Sequence, residues 1–189
     1  MRINSKLNLV VEVETSEGTI FVHSMPLSRE VFERYFIVIG KTFSSVMSSG
    51  LSVISGPRVA AMMLKKIATE EGVWDGRDGV ENGLFAEIRR LSNVIYPTTA
   101  GWQSLPLQAA VDREVIDADD LSEVENLITF FICVSAMVRK GEIQGILEKM
   151  LLWGARTSSL NSTEYQASLQ TLIATETTSP KEKTSSVPH

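Results

Sequence analysis

The sequence predicts an α+β fold, mostly α: an N-terminal β-hairpin, then a compact multi-helix body, then a disordered C-terminal tail. Three observations carry this. Residues 7–14 alternate apolar and polar side chains and residues 19–25 are rich in β-branched and aromatic ones, the pattern of two paired strands. From residue 28 to about Arg156, apolar residues recur at helical spacing between Gly, Pro and Asp stops. Past Arg156 the chain turns polar and Ser/Thr-rich. The organisation that follows is a body over residues 1–156 and a tail over residues 157–189.

The strands come first. Ser16-Glu17-Gly18 supplies the turn of the hairpin. An isolated hairpin is marginal in water, so this one must pack on the helices, pair with further strands, or add to a partner's sheet.

Helix one starts with Ser28 as N-cap, Glu30 in the first turn and Leu27 placed to staple against Phe32; it stops at Gly50. Val31, Tyr35, Val38 and Ile39 share one side, with Phe32, Phe36 and Phe43 adjacent, so its apolar stripe is wide. Gly56-Pro57 opens helix two and Gly72 closes it, with Met62 and Met63 among small alanine neighbours. The loop at residues 74–79 is acidic and glycine-punctuated but lacks the alternating oxygen ligands and terminal glutamate of a calcium loop.

Asp78 and Glu81 sit as an N-cap and N3 pair for helix three, expected to run through Tyr96 and end before Pro97. A turn-like connection around Trp102 follows, then a short helix over residues 106–115. Asp117 caps a long helix whose acids lie at its start and Arg139-Lys140 at its end, with Gly141 as the stop. The last substantial helix spans residues 142–156, with Ile143, Ile146, Leu147, Met150 and Leu151 near one face. In the tail a short helix is expected over residues 162–172. From about Ala174 the Ser, Thr, Lys, Glu and Pro content cannot bury enough apolar surface to offset the entropy of ordering, which predicts disorder.

With 43% hydrophobic and 22% charged residues in 189, the chain can build one ordinary core. A net charge of -5 argues against a nucleic-acid partner, because that binding is carried by clustered Lys and Arg. The single cysteine, Cys133, excludes an internal disulfide; it lies in LITFFICVSAMV and reads as a buried structural thiol. That run falls well short of the roughly 20 residues that span a bilayer, so no membrane partner is expected. Acids interrupt the N-terminal stretch where a signal peptide needs its apolar segment, and the expected location is cytoplasmic.

No constellation carries catalysis. The two histidines, His23 and His189, have no His or Cys at ligand spacing, and no Gly-x-Ser-x-Gly turn is present. GLSVISGPR lacks the Lys-Ser/Thr ending that grips phosphate. Asp112, Glu114, Asp117, Asp119 and Asp120 form the densest acid cluster, and their place at helix ends reads as capping; a carboxylate-based hydrolase is the minor alternative. No catalytic, cofactor-binding or metal residue is therefore expected, and the chain reads as a non-enzyme.

Four stretches, GTIFVHSMPLSREVFERYFIVIGKTF, GPRVAAMMLKKIATEEGVWDG, EIRRLSNVIYPTTAGWQSLPLQAAV and LLWGARTSSLNSTEYQASL, cover most of the body and the start of the tail. Taken in order they resemble a family of tail assembly chaperones of long-tailed, siphovirus-type bacteriophages. The resemblance implies a host-cytoplasmic protein that binds the tape measure protein, helps recruit tail tube subunits around it, acts in multiple self-associated copies, and is not retained in the virion. The family often occurs in two lengths produced by ribosomal slippage, and Ser179-Pro180-Lys181 admits a slippery codon run. A client with bare apolar helical stripes calls for adaptable apolar surface on a soluble acidic body. Phe36, Phe43, Met62 and Met63 are the candidate client-binding residues. The alternative is a structural virion protein, a tail completion or head-tail joining component.

Overall fold

In the computed structural model, which describes residues 7–16, 18–138 and 140–177, the hairpin forms as expected from β1 (Asn8–Thr15) and β2 (Gly18–Ser24). It is the centre of a larger sheet. With β3 (Ser92–Thr98), β4 (Gly101–Pro106) and β5 (Ala155–Ser158) it makes an antiparallel five-stranded sheet in the order β4-β3-β2-β1-β5. The register places Val10 opposite His23 and Arg156, and Phe21 opposite Glu12 and Ile95.

Both faces of this sheet are covered, which is why β1 and β2 carry more apolar residues than simple alternation needs. Leu9, Val11, Val13, Ile20, Val22 and Val94 point into the main core under the helices. Val10, Phe21 and Ile95 point the other way, into a small second core closed by Tyr165 of the tail.

The helical layer consists of α1 (Arg29–Ser48), α2 (Ser52–Ser55), α3 (Ala60–Glu70), α4 (Ala86–Arg90), α5 (Leu107–Asp112), α6 (Ala118–Met137) and α7 (Lys140–Lys149). Ser28 caps α1, its Oγ accepting from Val31 N–H at 3.3 Å. Asp117 caps α6, its Oδ1 accepting from Asp120 N–H at 2.8 Å. Gly72, at φ +69°, ends α3: Val73 N–H reaches Ala68 O and Gly72 N–H reaches Thr69 O, so both last-turn carbonyls are satisfied. Helix α6 is the spine. Every residue from Asn126 to Val134 is buried, so it is apolar all round and packed from several directions. Phe130 and Phe131, each 1% exposed, are worth about 1.5–3 kcal/mol apiece in burial. Helices α1, α3 and α6 pack against one another.

Several elements differ from expectation. Helix three does not run to Tyr96: a π-helical turn (Val80–Phe85) leads into α4, which ends at Arg90, and residues 92–98 are β3. The segment SNVIY is β-branched and aromatic, and pairing with β2 outweighs its continuation as helix. Pro97 sits beyond Ile95, the last β3 residue paired to β2, so its missing N–H costs no ladder bond on that side. The turn-like connection is the β3–β4 hairpin, with Gly101 at φ +105°.

Asp78 does not cap the helix. The N–H groups of Val80 and Glu81 are taken by the carbonyls of Val73 and Trp74, and Gly79 occupies the cap position. Gly141 does not stop α6, which ends at Met137; Gly141 lies inside α7. The last helix stops at Lys149, a 3-10 turn (Met150–Trp153) and Gly154 at φ +67° follow, and Ala155 and Arg156 belong to β5.

The body-tail boundary at residue 156 therefore falls within a strand, and the tail's first part belongs to the fold. Helix α8 (Ser162–Thr177) continues past Ala174, where the sequence predicts disorder. Asn161 caps it reciprocally: Glu164 N–H bonds Asn161 Oδ1 and Asn161 N–H bonds Glu164 Oε2, both at 2.9 Å. It packs on β4 and β3, and contact with an apolar sheet face supplies the ordering energy that composition alone lacks. Residues 178–189, including Ser179-Pro180-Lys181, lie outside the described residues, as does Glu17 of the first turn. Among the described residues no helix is long and apolar enough to cross a membrane.

Candidate functional site

Among the described residues, most of the exposed large apolar side chains lie in three places; Met25, Val73 and Leu160 stand apart from them. On α1, Phe36 and Ile37 are 50% and 61% exposed. Phe36 packs edge-on to Phe32 with ring centroids 6.3 Å apart. One turn on, Gly40 faces the Met137 side chain of α6, which is itself exposed. Beside this shoulder runs a shallow groove floored by Leu27, Phe131 and Ile132.

The second place is a cleft of about 310 Å³ between α3, the π-helical turn and α6. Met62, 56% exposed, stands at its rim. Trp74 and Phe85 pack edge to face at 5.6 Å on one side, and Lys65 Nζ lies 5.2 Å from the Trp74 ring. An ion pair, Arg89 Nε to Glu125 Oε1 at 2.8 Å, lines the other side. Buried Asn126 completes the wall: its Oδ1 accepts from the N–H groups of Ala61 and Met62, and its Nδ2 donates to Ser122 O. This side chain from α6 caps α3, whose own N-cap residue, Val59, has no capping side chain.

The third place is formed by Ile54, Leu151 and Leu152, which are 59%, 59% and 72% exposed. Trp153 ties it together, donating from Nε1 to Ile54 O at 2.9 Å while Arg58 lies 5.0 Å from its ring.

Of the four candidate contact residues, Phe36 and Met62 present open surface. Phe43 and Met63 are half-buried and pack against the main core. Among the described contacts, none joins Phe36 to Met62; they belong to different surfaces. Sequence reasoning passed over Ile37, Ile54, Met137 and Leu152, and placed Leu151 near one helix face with Ile143, Ile146, Leu147 and Met150. The visible signal was the apolar run Leu151-Leu152-Trp153 directly before Gly154, too short for a helix to bury on every side.

Several titratable groups are held by burial or by helix-end hydrogen bonds. Cys133 is buried, its thiol pushed up to about 12 by desolvation, and Sγ lies 3.8 Å from Ile39 O. His23 is fully buried, and burial holds its pKa below the ordinary 6.5. In the acid cluster Asp117 caps α6 and Asp112 accepts from Gln108 Nε2 at 3.0 Å. Burial, then the neighbouring charges of Asp117, Glu123 and Asp119, raises the proton affinity of Asp120. Among the described residues no group of three or more His, Cys, Asp or Glu side chains is placed to hold a metal ion.

No protein-family model, curated protein or solved structure matches the chain. The surface shows three apolar areas on an acidic protein, two of them edged by cations.

Proposed function

We propose that this protein is a tail assembly chaperone of a long-tailed bacteriophage: a non-enzymatic binding protein of the host cytoplasm that shelters the tape measure protein and helps recruit tail tube subunits. It acts in several self-associated copies and leaves before the particle is complete. The observation that carries the reading is the exposure of Phe36 and Ile37 on α1 together with Met62 on α3. Large apolar side chains left in water on otherwise well-packed helices are the feature a polypeptide-binding surface needs. A client offering many repeats of one apolar stripe engages many copies, so individually weak contacts multiply.

Co-expression with a tape measure protein tests it. The expected result is a client that stays soluble and co-purifies with this protein, with both effects lost in a Phe36→Asp, Met62→Asp double variant that still folds. A client equally insoluble with and without the protein sinks the proposal. Mass spectrometry of purified particles separates it from the structural-component reading: a fixed stoichiometry in mature particles would favour a tail completion or head-tail joining role.

A further inference from the structure

Helix α8 covers the sheet face opposite the main helical layer, and the way it is held is unusual. Its apolar grip is small. Tyr165 and Leu169 are its contributions to a cluster otherwise made of Val10, Phe21, Ile95 and Trp102. Polar contacts do the rest. Gln166 and Gln170 donate to Trp102 O at 2.6 and 3.3 Å, and Arg156 Nη2 donates to Tyr165 Oη at 2.6 Å. The residue before the α8 cap, Leu160, is pinned by its carbonyl, which accepts from Asn8 Nδ2 at 2.8 Å and lies 2.9 Å from His23 Nε2.

The Leu160 contact fixes the tautomer of neutral His23. A carbonyl only accepts, so Nε2 carries the hydrogen and Nδ1 of the neutral ring is a bare acceptor. That Nδ1 is buried with no hydrogen-bond partner among the described residues, and so is Trp102 Nε1 beneath the same helix. The Tyr165 ring stands over the imidazole at 6.2 Å between centroids. Two of the four buried side-chain polar atoms without a hydrogen-bond partner among the described residues thus lie in this small core.

We propose that α8 is a strap latched by neutral His23, and that adding a proton at Nδ1 lifts the strap and uncovers the apolar outer face of the sheet. A proton there creates a cation and a new N–H donor inside the second core, and the ring regains hydration only when α8 leaves. The surrounding charges are few. From β5, Arg156 stands in the same cross-strand row as Val10 and His23, and its positive charge opposes a second cation. From β1, Glu12 lies 3.8 Å from Arg156 and offsets it in part. From α8, Tyr165 is held neutral, its pKa raised by burial. From β3, Asn93, opposite His23, is uncharged.

The sign follows from linkage. Burial depresses the pKa of the strapped state while the carbonyls of Leu160 and His23 itself work against the shift. The latch is therefore at full strength above about 6.5, the ordinary histidine value, weakens as pH falls below it, and is spent once pH passes the lowered value. Over that interval one proton raises the opening constant of α8 by at most about tenfold per pH unit.

Hydrogen exchange on the full-length chain, corrected for intrinsic rates and read between pH 7.5 and 5, is the test. Peptides from residues 159–170 are expected to keep their protection down to about pH 6.5 and to lose it below that, by at most about tenfold per pH unit, while α6 stays protected, and His23→Gln, whose amide can still donate to Leu160 O, is expected to flatten the dependence. Loss of protection in α8 and α6 together, an unchanged α8, or the same pH dependence in the variant each overturns the proposal. Should the variant fail to fold, the His23 ring signals followed by NMR in the unmodified protein decide: a midpoint at or above 6.5 overturns the latch, and a lower one coincident with shifts in α8 amides supports it.

Discussion

Gly83 lies directly against the Tyr35 hydroxyl, so closely that a β-carbon on Gly83 would occupy the space of the Tyr35 oxygen. That hydroxyl is shared between the carbonyls of Asp78 at 3.2 Å and Gly79 at 3.4 Å, at the start of the π-helical turn. A tyrosine from α1 thus holds the entry of the irregular segment, and the glycine makes room for it. Gly83→Ala is expected to cost about 1–3 kcal/mol through overpacking. Tyr35→Phe alone is expected to cost about 1 kcal/mol for the lost hydrogen bond. Because the oxygen is the clashing atom, the double variant should be less destabilised than the sum of the two. Denaturant unfolding of the four-protein cycle checks it, and simple additivity would show that the contact does not limit packing there.

Asn126 carries two jobs with one side chain, closing the N-terminus of α3 while bonding its own helix at Ser122. Asn126→Leu, near in volume, leaves the Ala61 N–H buried without its partner and should cost roughly 1–3 kcal/mol. Asn126→Asp keeps an acceptor at a positive helix end and should lose less. Chemical denaturation of both proteins checks it; a leucine variant as stable as the unmodified protein would refute the capping role.

How much of this was legible in the letters depends on whether local chemistry or distant contact decides each element. Ser28 and Asp117 announce their helices because the capping oxygen and the N–H it serves lie three residues apart. The hairpin was legible for a similar reason. By contrast, residues 92–96 became a strand through β2, some seventy positions earlier, and α8 was ordered by a sheet face that no local window contains. The same holds for the site. Phe36 and Phe43 sit in the same wide stripe by sequence, yet one faces water and the other packs on the core, because the stripe's width does not reveal where neighbouring helices stop. Ile54 and Leu152 escaped notice because a tertiary bond from Trp153 brings their segments together.

Cys133 should be inert in the folded protein. With its pKa pushed up to about 12, only about one thiolate in ten thousand is present at pH 8, and burial denies reagents access besides. A disulfide-exchange reagent should leave the native protein unlabelled over minutes and modify it at once in denaturant. Rapid native labelling would mean that α6 opens far more readily than its packing implies.

Phe36→Asp and Met62→Asp test whether the exposed side chains serve a partner or merely decorate the surface. Each is at least half exposed, so little burial energy is at stake and each substitution should change folding stability by no more than about 0.5 kcal/mol. Since the two residues stand on different surfaces, their effects on client capture are expected to differ. A helix laid along α1 would lose affinity with Phe36→Asp alone, whereas one seated in the cleft by Trp74 would lose it with Met62→Asp alone. A central apolar anchor of this size is worth about 2 kcal/mol or more in an interface, close to a thirtyfold change in the dissociation constant. Binding assays with a tape measure protein, paired with thermal unfolding of each variant, resolve the two geometries. Wild-type capture by both folded variants would mean that neither surface touches the client.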